Sequence, residues 1–433
     1  MTTLILFLSF FVLLLIGLPI GIALGSASLL AIAYIPFLKF DLYALGLVSG
    51  INSFTLIAVV LFTLAGNIMS KGGISSRLIA VADKMFGGAP GDLGTVTIIA
   101  CLFFAAISGT GSATVAAVGL AMIPALVQRG YDRAYAGAMV ASAGGLGVMI
   151  PPSVVMIVYA VSAGVSVTAL FMAGILPGLV IALTLMTFNV LYRQRTTKHL
   201  DLPPRQSSNT KEIFEALNNA KLALLMPLVI LGGIYGGIVT PTESAAVAVV
   251  YALVVSCFVY RELSLKALPK IMLESAMLVS AVLVIIGASV AFGRIIALEK
   301  IPTELAQFVL SITDSKYLVL IAIIVLLLII GTFLETLASI VILTPVLLPV
   351  LTRLGVDLVH FGIVMIVALA IGFVTPPLGA NLFMAAQVGE IPFDQIARRI
   401  FPWVVTLVVA LLVITFVPSI SLILPEVFLG YGK

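Results

Sequence analysis

Apolar runs of about 20 residues, the length that crosses roughly 30 Å of hydrocarbon, follow one another along this chain with short polar turns between them. Ten-residue stretches of alternating apolar and polar positions separated by turns do not occur, so the pattern predicts helices and not a strand barrel. The fold class is therefore an all-α polytopic membrane protein. Passes are predicted over 133 to 163, broken midway, then 167 to 192, about 222 to 239, 242 to 260 and 271 to 297. Two further apolar segments, Asp92 to Gln128 and Lys316 to Thr352, are interrupted by Ser108-Gly109-Thr110-Gly111-Ser112 and by Gly331-Thr332-Phe333-Leu334-Glu335-Thr336. Irregular backbone at that depth is tolerated only where protein or a water-filled cavity satisfies it, so both read as re-entrant helical hairpins. The opening run through Gly17-Leu18-Pro19 has neither a basic leader nor a small-residue cleavage site and predicts a retained first helix.

The breaks recur. Residues 124 to 177 laid on 349 to 402 match without a gap at Pro124/Pro349, Gly130/Gly355, Asp132/Asp357, Gly137/Gly362, Gly147/Gly372, Pro151-Pro152/Pro376-Pro377, Gly164/Gly389 and Pro177/Pro402. In so apolar a chain aliphatic coincidences mean little, whereas matched glycines and prolines mark the same helix breaks. At an offset of 227, Gly66, Ile68, Ile74 and Leu78 match Gly293, Ile295, Ile301 and Leu305. The second pair includes two short amphipathic stretches, one with Ile74, Leu78, Val81 and Met85 on a face, the other with Ile301, Leu305, Phe308 and Ile312. These are expected to lie as arms leading into each hairpin.

Charge sets the orientation. The stretch 193–221 carries six Lys/Arg against three Asp/Glu and is assigned to the cytoplasm, which puts the Arg129 to Arg133 turn and the Arg261 to Lys270 turn there too. Thr240 to Ser244 and Glu299 to Glu304 fall outside. Three passes separate the flanks of the repeats, an odd number, so the second copy runs upside down relative to the first. The expected organisation is 1–88, scaffold helices and first arm; 89–192, first transport repeat; 193–221, cytoplasmic loop; 222–312, scaffold helices and second arm; 313–433, second transport repeat. With 62% hydrophobic and 9% charged residues among 433, no soluble domain is possible, and the net charge of +4 reflects topology and not a nucleic-acid surface. Cys101 and Cys257 lie in apolar runs and read as buried thiols.

Duplicated breaks at membrane depth point to a secondary transporter. Besides the hairpin tips, the broken passes are interrupted at Gly144-Gly145-Leu146-Gly147 to Pro151-Pro152-Ser153 and at Gly372 to Asn381. Unwound carbonyls together with Ser, Thr and Asn oxygens suit a hard cation such as Na⁺, while helix N-termini favour an anion. The expected sites combine Ser108, Gly111 and Ser112 with Gly147, Pro151 and Ser153, and Gly331, Thr332, Glu335 and Thr336 with Thr375, Gly379 and Asn381, one cation per repeat. Glu335, a carboxylate inside an apolar segment, is read either as a cation ligand or as an anchor for the hairpin tip. Glu243 in Thr240-Pro241-Thr242-Glu243 is read as half of a capping box, and Asp132 and Asp357 as helix N-caps. Arg294 is read as snorkelling or as an attractor of a substrate carboxylate. A membrane enzyme finds little support, since His199 and His360 are the two histidines and no zinc motif is present. A channel would show charge rings or a carbonyl filter in place of paired inverted breaks.

The segments Ser108 to Gly119, Met149-Ile150-Pro151-Pro152-Ser153, Gly331 to Pro349 and Thr375 to Asn381 together resemble the large membrane subunit of tripartite ATP-independent periplasmic (TRAP) transporters, and the resemblance covers essentially the whole chain. It implies a multi-pass protein of the bacterial inner membrane that imports an organic acid with sodium, using a periplasmic substrate-binding protein and a small four-helix (Q) subunit, here separate. It implies an elevator mechanism, with at least two Na⁺ as coupling ions. The substrate is expected between the hairpin tips, on Ser108, Thr110, Ser153, Glu335, Thr336 and Asn381. Sialic acid (N-acetylneuraminate) is favoured; the alternatives are a C4-dicarboxylate and a divalent-anion/sodium symport that needs no binding protein.

Overall fold

A computed structural model describes residues 2–34, 40–86, 92–196, 209–313 and 315–432, and every regular element among them is helical. Nine helices among the described residues are long and apolar enough to cross a membrane. The hairpins are present as Asp92–Ser108 with Gly111–Gln128 and as Lys316–Phe333 with Thr336–Arg353. The broken passes are Arg133–Gly144, Leu146–Met149 and Val154–Ala163 in the first copy, and Leu358–Gly372 and Ala380–Gly389 in the second. Matching boundaries lie 225 residues apart at both tips and at the starts of both broken passes. The local chemistry repeats with them. Asp132 accepts the Tyr135 N–H at 2.8 Å and Asp357 accepts the His360 N–H at 2.9 Å, each relieving an orphan donor of a helix start. Gly130 and Gly355 both take positive φ at the turn that precedes, where a side chain would be strained. The Pro151-Pro152 and Pro376-Pro377 bonds are both cis.

The ends of the helices sort into two groups. Lys71 pairs with Glu274, Arg77 with Glu262 at 2.5 Å and Lys84 with Glu212 at 2.5 Å, while Arg399 meets Asp132 at 3.5 Å. All belong to the end assigned to the cytoplasm. At the opposite end the Thr242 hydroxyl donates to the Phe54 carbonyl, the Lys316 ammonium to the Gly355 carbonyl, and Tyr431 to Asp357 at 3.0 Å. Residues 133 to 163 thus run from the cytoplasmic end outward. Residues 358 to 389 run back, so the repeats are inverted.

Each broken helix serves both hairpins. Its first half packs on the hairpin of its own copy, and its second half crosses to the other: Val154–Ala163 lies on Thr336–Arg353, and Ala380–Gly389 lies on Gly111–Gln128. Gly331 and Gly372 meet backbone to backbone, because a methyl on Gly372 would stand 2.5 Å from the Gly331 Cα. Tyr135 stacks on Tyr192 at 4.5 Å and Phe188 meets Trp403 edge-on at 4.7 Å, which ties helices Val167–Thr196 and Phe393–Phe416 to the first broken pass.

Several sequence expectations are met and others are corrected. Thr240 and Glu243 form the capping box, with Pro241 at the first helical position; the Thr240 N–H and hydroxyl both donate to the Glu243 carboxylate at 2.8 Å. The polar stretch 193–221 is helical at both flanks, since one helix continues to Thr196 and the next starts at Thr210, where Glu212 reaches Lys84 on the arm; 197–208 lie outside the described residues. The arms are Ile74–Phe86 and Ile301–Ile312. Ile74, Leu78 and Val81 are buried as expected, whereas Met85 and Phe308 face outward with the many exposed apolar side chains of a lipid-facing surface. Arg294 donates to the Ser49 hydroxyl at 2.7 Å. Cys101 and Cys257 are free thiols, the first buried and the second half-buried. Replacing Gly372 with alanine is expected to destabilise the protein by about 1–3 kcal/mol or more, because neither backbone can give way; a melting temperature in detergent equal to the parent's would refute the close contact.

Candidate functional site

The four breaks converge. At the first tip Gly109 sits in the left-handed region (φ 63) and sets Thr110 at the N-cap position of the second limb of the hairpin, where its side chain makes no cap bond. The Ser108 and Thr114 hydroxyls lie 2.8 Å apart, and Thr114, fully buried, donates to the Thr110 carbonyl at 2.9 Å. Gly147 is pressed against that same Thr110 carbonyl and the Thr114 hydroxyl, where a side chain would collide. A methyl on Gly109 would stand 3.1 Å from the Pro152 carbonyl oxygen. The first tip and the first break therefore form one oxygen-rich knot.

Asn381 joins this knot from the other repeat. A methyl on Gly111 would lie 3.0 Å from its Nδ2, 3.2 Å from its Oδ1 and 3.3 Å from the Gly144 carbonyl oxygen. Asn381 is only 1% exposed, and its Oδ1 has no hydrogen-bond partner. A buried amide oxygen without a donor is costly, by about 1–3 kcal/mol, unless something else satisfies it. The sequence paired Asn381 with the second hairpin; the crossing of helix Ala380–Gly389 places it at the first.

At the second tip, Gly331 touches Gly372. The Thr332 and Thr375 hydroxyls donate to the Ile329 and Ile371 carbonyls, both at 2.7 Å, and leave their lone pairs available. Gly379 takes φ 48 before the Asn381 helix. Ser339 donates to the Glu335 carbonyl at 3.0 Å, the counterpart of Thr114 on Thr110. The Glu335 carboxylate makes no cap to its own helix and stands exposed.

A cavity of about 650 Å³ opens between the tips and the long helices Phe54–Lys71 and Leu268–Leu298. Ser108, Thr110, Gly111, Ser112, Glu335 and Thr336 line it, whereas Gly147, Pro151, Ser153, Gly331, Thr332, Thr375, Gly379 and Asn381 are not part of the lining. Ser153 is committed to structure: it donates to the Val148 carbonyl at 2.8 Å and caps Val154–Ala163. The facing wall is made by Thr63, Asn67, Ser70 and Glu274, from the cytoplasmic halves of the long helices, so the cavity opens toward the cytoplasmic end. Sequence reasoning missed these four and Thr114. Asn67, a lone amide in an apolar run between the matched Gly66 and Ile68, was the available signal. No Lys, Arg or His lines the cavity among the described residues, and no group of three His, Cys, Asp or Glu that could hold a metal ion occurs there.

Residues 7–420 match the family described as tripartite ATP-independent periplasmic transporter, DctM component. The chain belongs to this family. It is 46% identical over 418 residues to the isethionate TRAP transporter permease protein DctMQ of Oleidesulfovibrio alaskensis, covering 96% of this chain and 65% of that longer protein. It is 37% identical to the C4-dicarboxylate TRAP transporter large permease protein of Rhodobacter capsulatus, over 98% and 99% of the two chains. The sialic acid large permease protein SiaM of Vibrio cholerae is 36% identical, over 96% and 97%. Among solved structures, the YdaH transporter of Alcanivorax borkumensis shares the fold, with a TM-score of 0.62 and 15% identity over 95% and 98% of the chains. A TRAP large permease is a multi-pass inner-membrane transporter of organic acids and not an enzyme. If transport uses the first tip, its knot has to keep its shape. Gly109→Ala, strained by about 1–2 kcal/mol in the left-handed region, is expected to lower transport at least tenfold while the melting temperature changes by a few degrees; full transport would show that the tip geometry is dispensable.

Proposed function

We propose that this chain is the large permease of a sodium-coupled TRAP importer, moving an organic anion inward by an elevator step. The two hairpins and two broken helices form the moving body, and the long helices with their arms form the scaffold. The observation that carries sodium coupling is the buried, unpartnered Asn381 Oδ1 beside the Gly144 carbonyl and Gly111. A hard cation accepts such oxygens, and neither a proton donor nor a softer metal is needed there. The inverted, hairpin-built repeats support a rigid displacement that exposes one site to each side in turn. A periplasmic binding protein delivers the acid, and a small four-helix subunit, separate or fused beyond this sequence, completes the membrane part.

For the substrate, overall likeness now favours a small anion. The isethionate relative, at 46%, is closer than the sialic acid relative, at 36%. Isethionate therefore comes before a C4-dicarboxylate and before N-acetylneuraminate, and one uptake experiment compares all three. Proteoliposomes holding this chain and the small subunit, with the binding protein outside, are expected to accumulate one of these acids only under an inward sodium gradient. Uptake without sodium would end the coupling reading, and uptake without the binding protein would favour the simpler symporter.

Replacing Asn381 or Ser112 by alanine is expected to raise the sodium concentration for half-maximal uptake at least tenfold, the equivalent of about 1.4 kcal/mol. Sodium activation unchanged in both variants would remove these residues from the cation site.

A further inference from the structure

The scaffold wall of the cavity carries one polar side chain whose hydrogen bonds are only half spent. Thr63, Asn67 and Ser70, spaced to share one face of helix Phe54–Lys71, all line the cavity. The rest of that wall, from helix Leu268–Leu298, is Glu274 and apolar side chains such as Met277, Leu278 and Val282. The Thr63 hydroxyl donates to the Val59 carbonyl at 2.7 Å, and Ser70 is exposed at the cytoplasmic mouth. Asn67 is half-buried, and its Nδ2 donates to the Ser275 hydroxyl at 2.7 Å. That hydroxyl spends its own proton on the Ile271 carbonyl at 2.8 Å. The direction of the two bonds fixes the amide with its nitrogen toward Ser275. Its carbonyl oxygen and second N–H are left without a partner among the described residues.

An alcohol both donates and accepts, and so matches such an amide. Gly66, the residue before Asn67, brings this wall against the first tip: a methyl on it would stand 3.2 Å from the Ile107 carbonyl oxygen and 3.4 Å from that of Ser108. A small acid held at the first tip is therefore within reach of the Asn67 amide. Charge decides which end of the acid turns to it. Glu274 stands on the same wall, paired with Lys71, and among the described residues no basic side chain lines the cavity. The uncapped helix start at Gly111, on the tip side, is what attracts an acid group.

Resting on the organic-anion reading above, we propose that Asn67 is a specificity-determining residue: the acid group of the substrate lies at the first tip, and the Asn67 amide takes a hydroxyl close to it. The substrate class is a small hydroxy acid, sulfonate or carboxylate. The same acid without its hydroxyl leaves the amide unpaired.

Two pairs of probes differ by that hydroxyl alone: isethionate against ethanesulfonate, and malate against succinate. Their binding to the purified large subunit with its small subunit, in sodium chloride and without the binding protein, is read by calorimetry and by thermal shift. The parent is expected to prefer the hydroxylated member of at least one pair by about tenfold or more, the effect of one hydrogen bond. N67A and N67L are expected to bind that member about tenfold more weakly and its partner as the parent does, so that the preference disappears. Unchanged binding of the partner also shows that the variants fold. A parent without preference in either pair, a preference that survives in both variants, or variants that weaken both members alike overturns this proposal and leaves the organic-anion reading standing. No binding of any of the four acids by the parent overturns that reading itself.

Discussion

The constraint on which the rest of this structure depends is that backbone polar groups inside a bilayer have no water to turn to. A helix interrupted there leaves carbonyls and amides that cost several kcal/mol each if nothing meets them. Four interruptions are present, and they are stable because they are brought together. The Thr110 carbonyl accepts the Thr114 hydroxyl, the Glu335 carbonyl accepts the Ser339 hydroxyl, and Ser153 caps the second half of its own broken helix. Glycines at 109, 147, 331 and 372 allow the approach, since each stands where a Cβ would meet backbone or a committed hydroxyl. What the protein groups leave unmet, chiefly the Asn381 amide oxygen, is what the proposed cation would satisfy.

The crossing of the broken helices ties these parts into one packed unit. If each broken helix served only its own hairpin, the repeats would be two modules joined by a seam. Here Val154–Ala163 lies on the second hairpin and Ala380–Gly389 on the first, so moving one tip without the other would tear apart both packings. The aromatic cluster of Tyr135, Tyr192, Phe188 and Trp403 extends the same unit to the helices that follow each broken pass. On the scaffold side, Arg77 pairs with Glu262 and lies 3.8 Å over the Tyr260 ring, and Lys84 pairs with Glu212. The first arm is thus fastened at its cytoplasmic end.

Backbone-special residues made much of this legible. The prolines and glycines 225 residues apart gave the broken passes, and the polar interruptions Ser108 to Ser112 and Gly331 to Thr336 gave the hairpin tips, because only a few residue types tolerate such conformations. Charge gave the ends: turns with excess Lys and Arg do share one face with Lys71, Arg77 and Lys84. The limits of the polar stretch 193–221 were not legible, since Thr210 to Lys221 is polar on account of projecting beyond the apolar layer and not on account of being a loop. The partner of Asn381 was hidden for a different reason. Sequence proximity assigns it to the second repeat, and only the three-dimensional crossing carries it to the first. Thr63, Asn67, Ser70 and Glu274 were overlooked because a scaffold wall is defined by what faces it, which no local pattern records.

The cavity raises a question of charge that its own lining answers. On the proposed reading, an organic anion is held where two carboxylates, Glu335 and Glu274, and, among the described residues, no basic side chain line the walls. Attraction therefore has to come from backbone and from ions. The second limb of the first hairpin begins at Gly111 with no side chain capping its free amides, and this helix start carries a partial positive charge. The start of the second limb of the other hairpin is offset by the Glu335 charge beside it. While Glu335 is charged, the two tips present opposite polarities to the cavity between them. Once it is neutralised, both helix starts face the anion with the same sign. On the proposed sodium-coupled reading, cation binding would in this way be a condition for anion binding, with the coupling carried by electrostatics between the two hairpin tips.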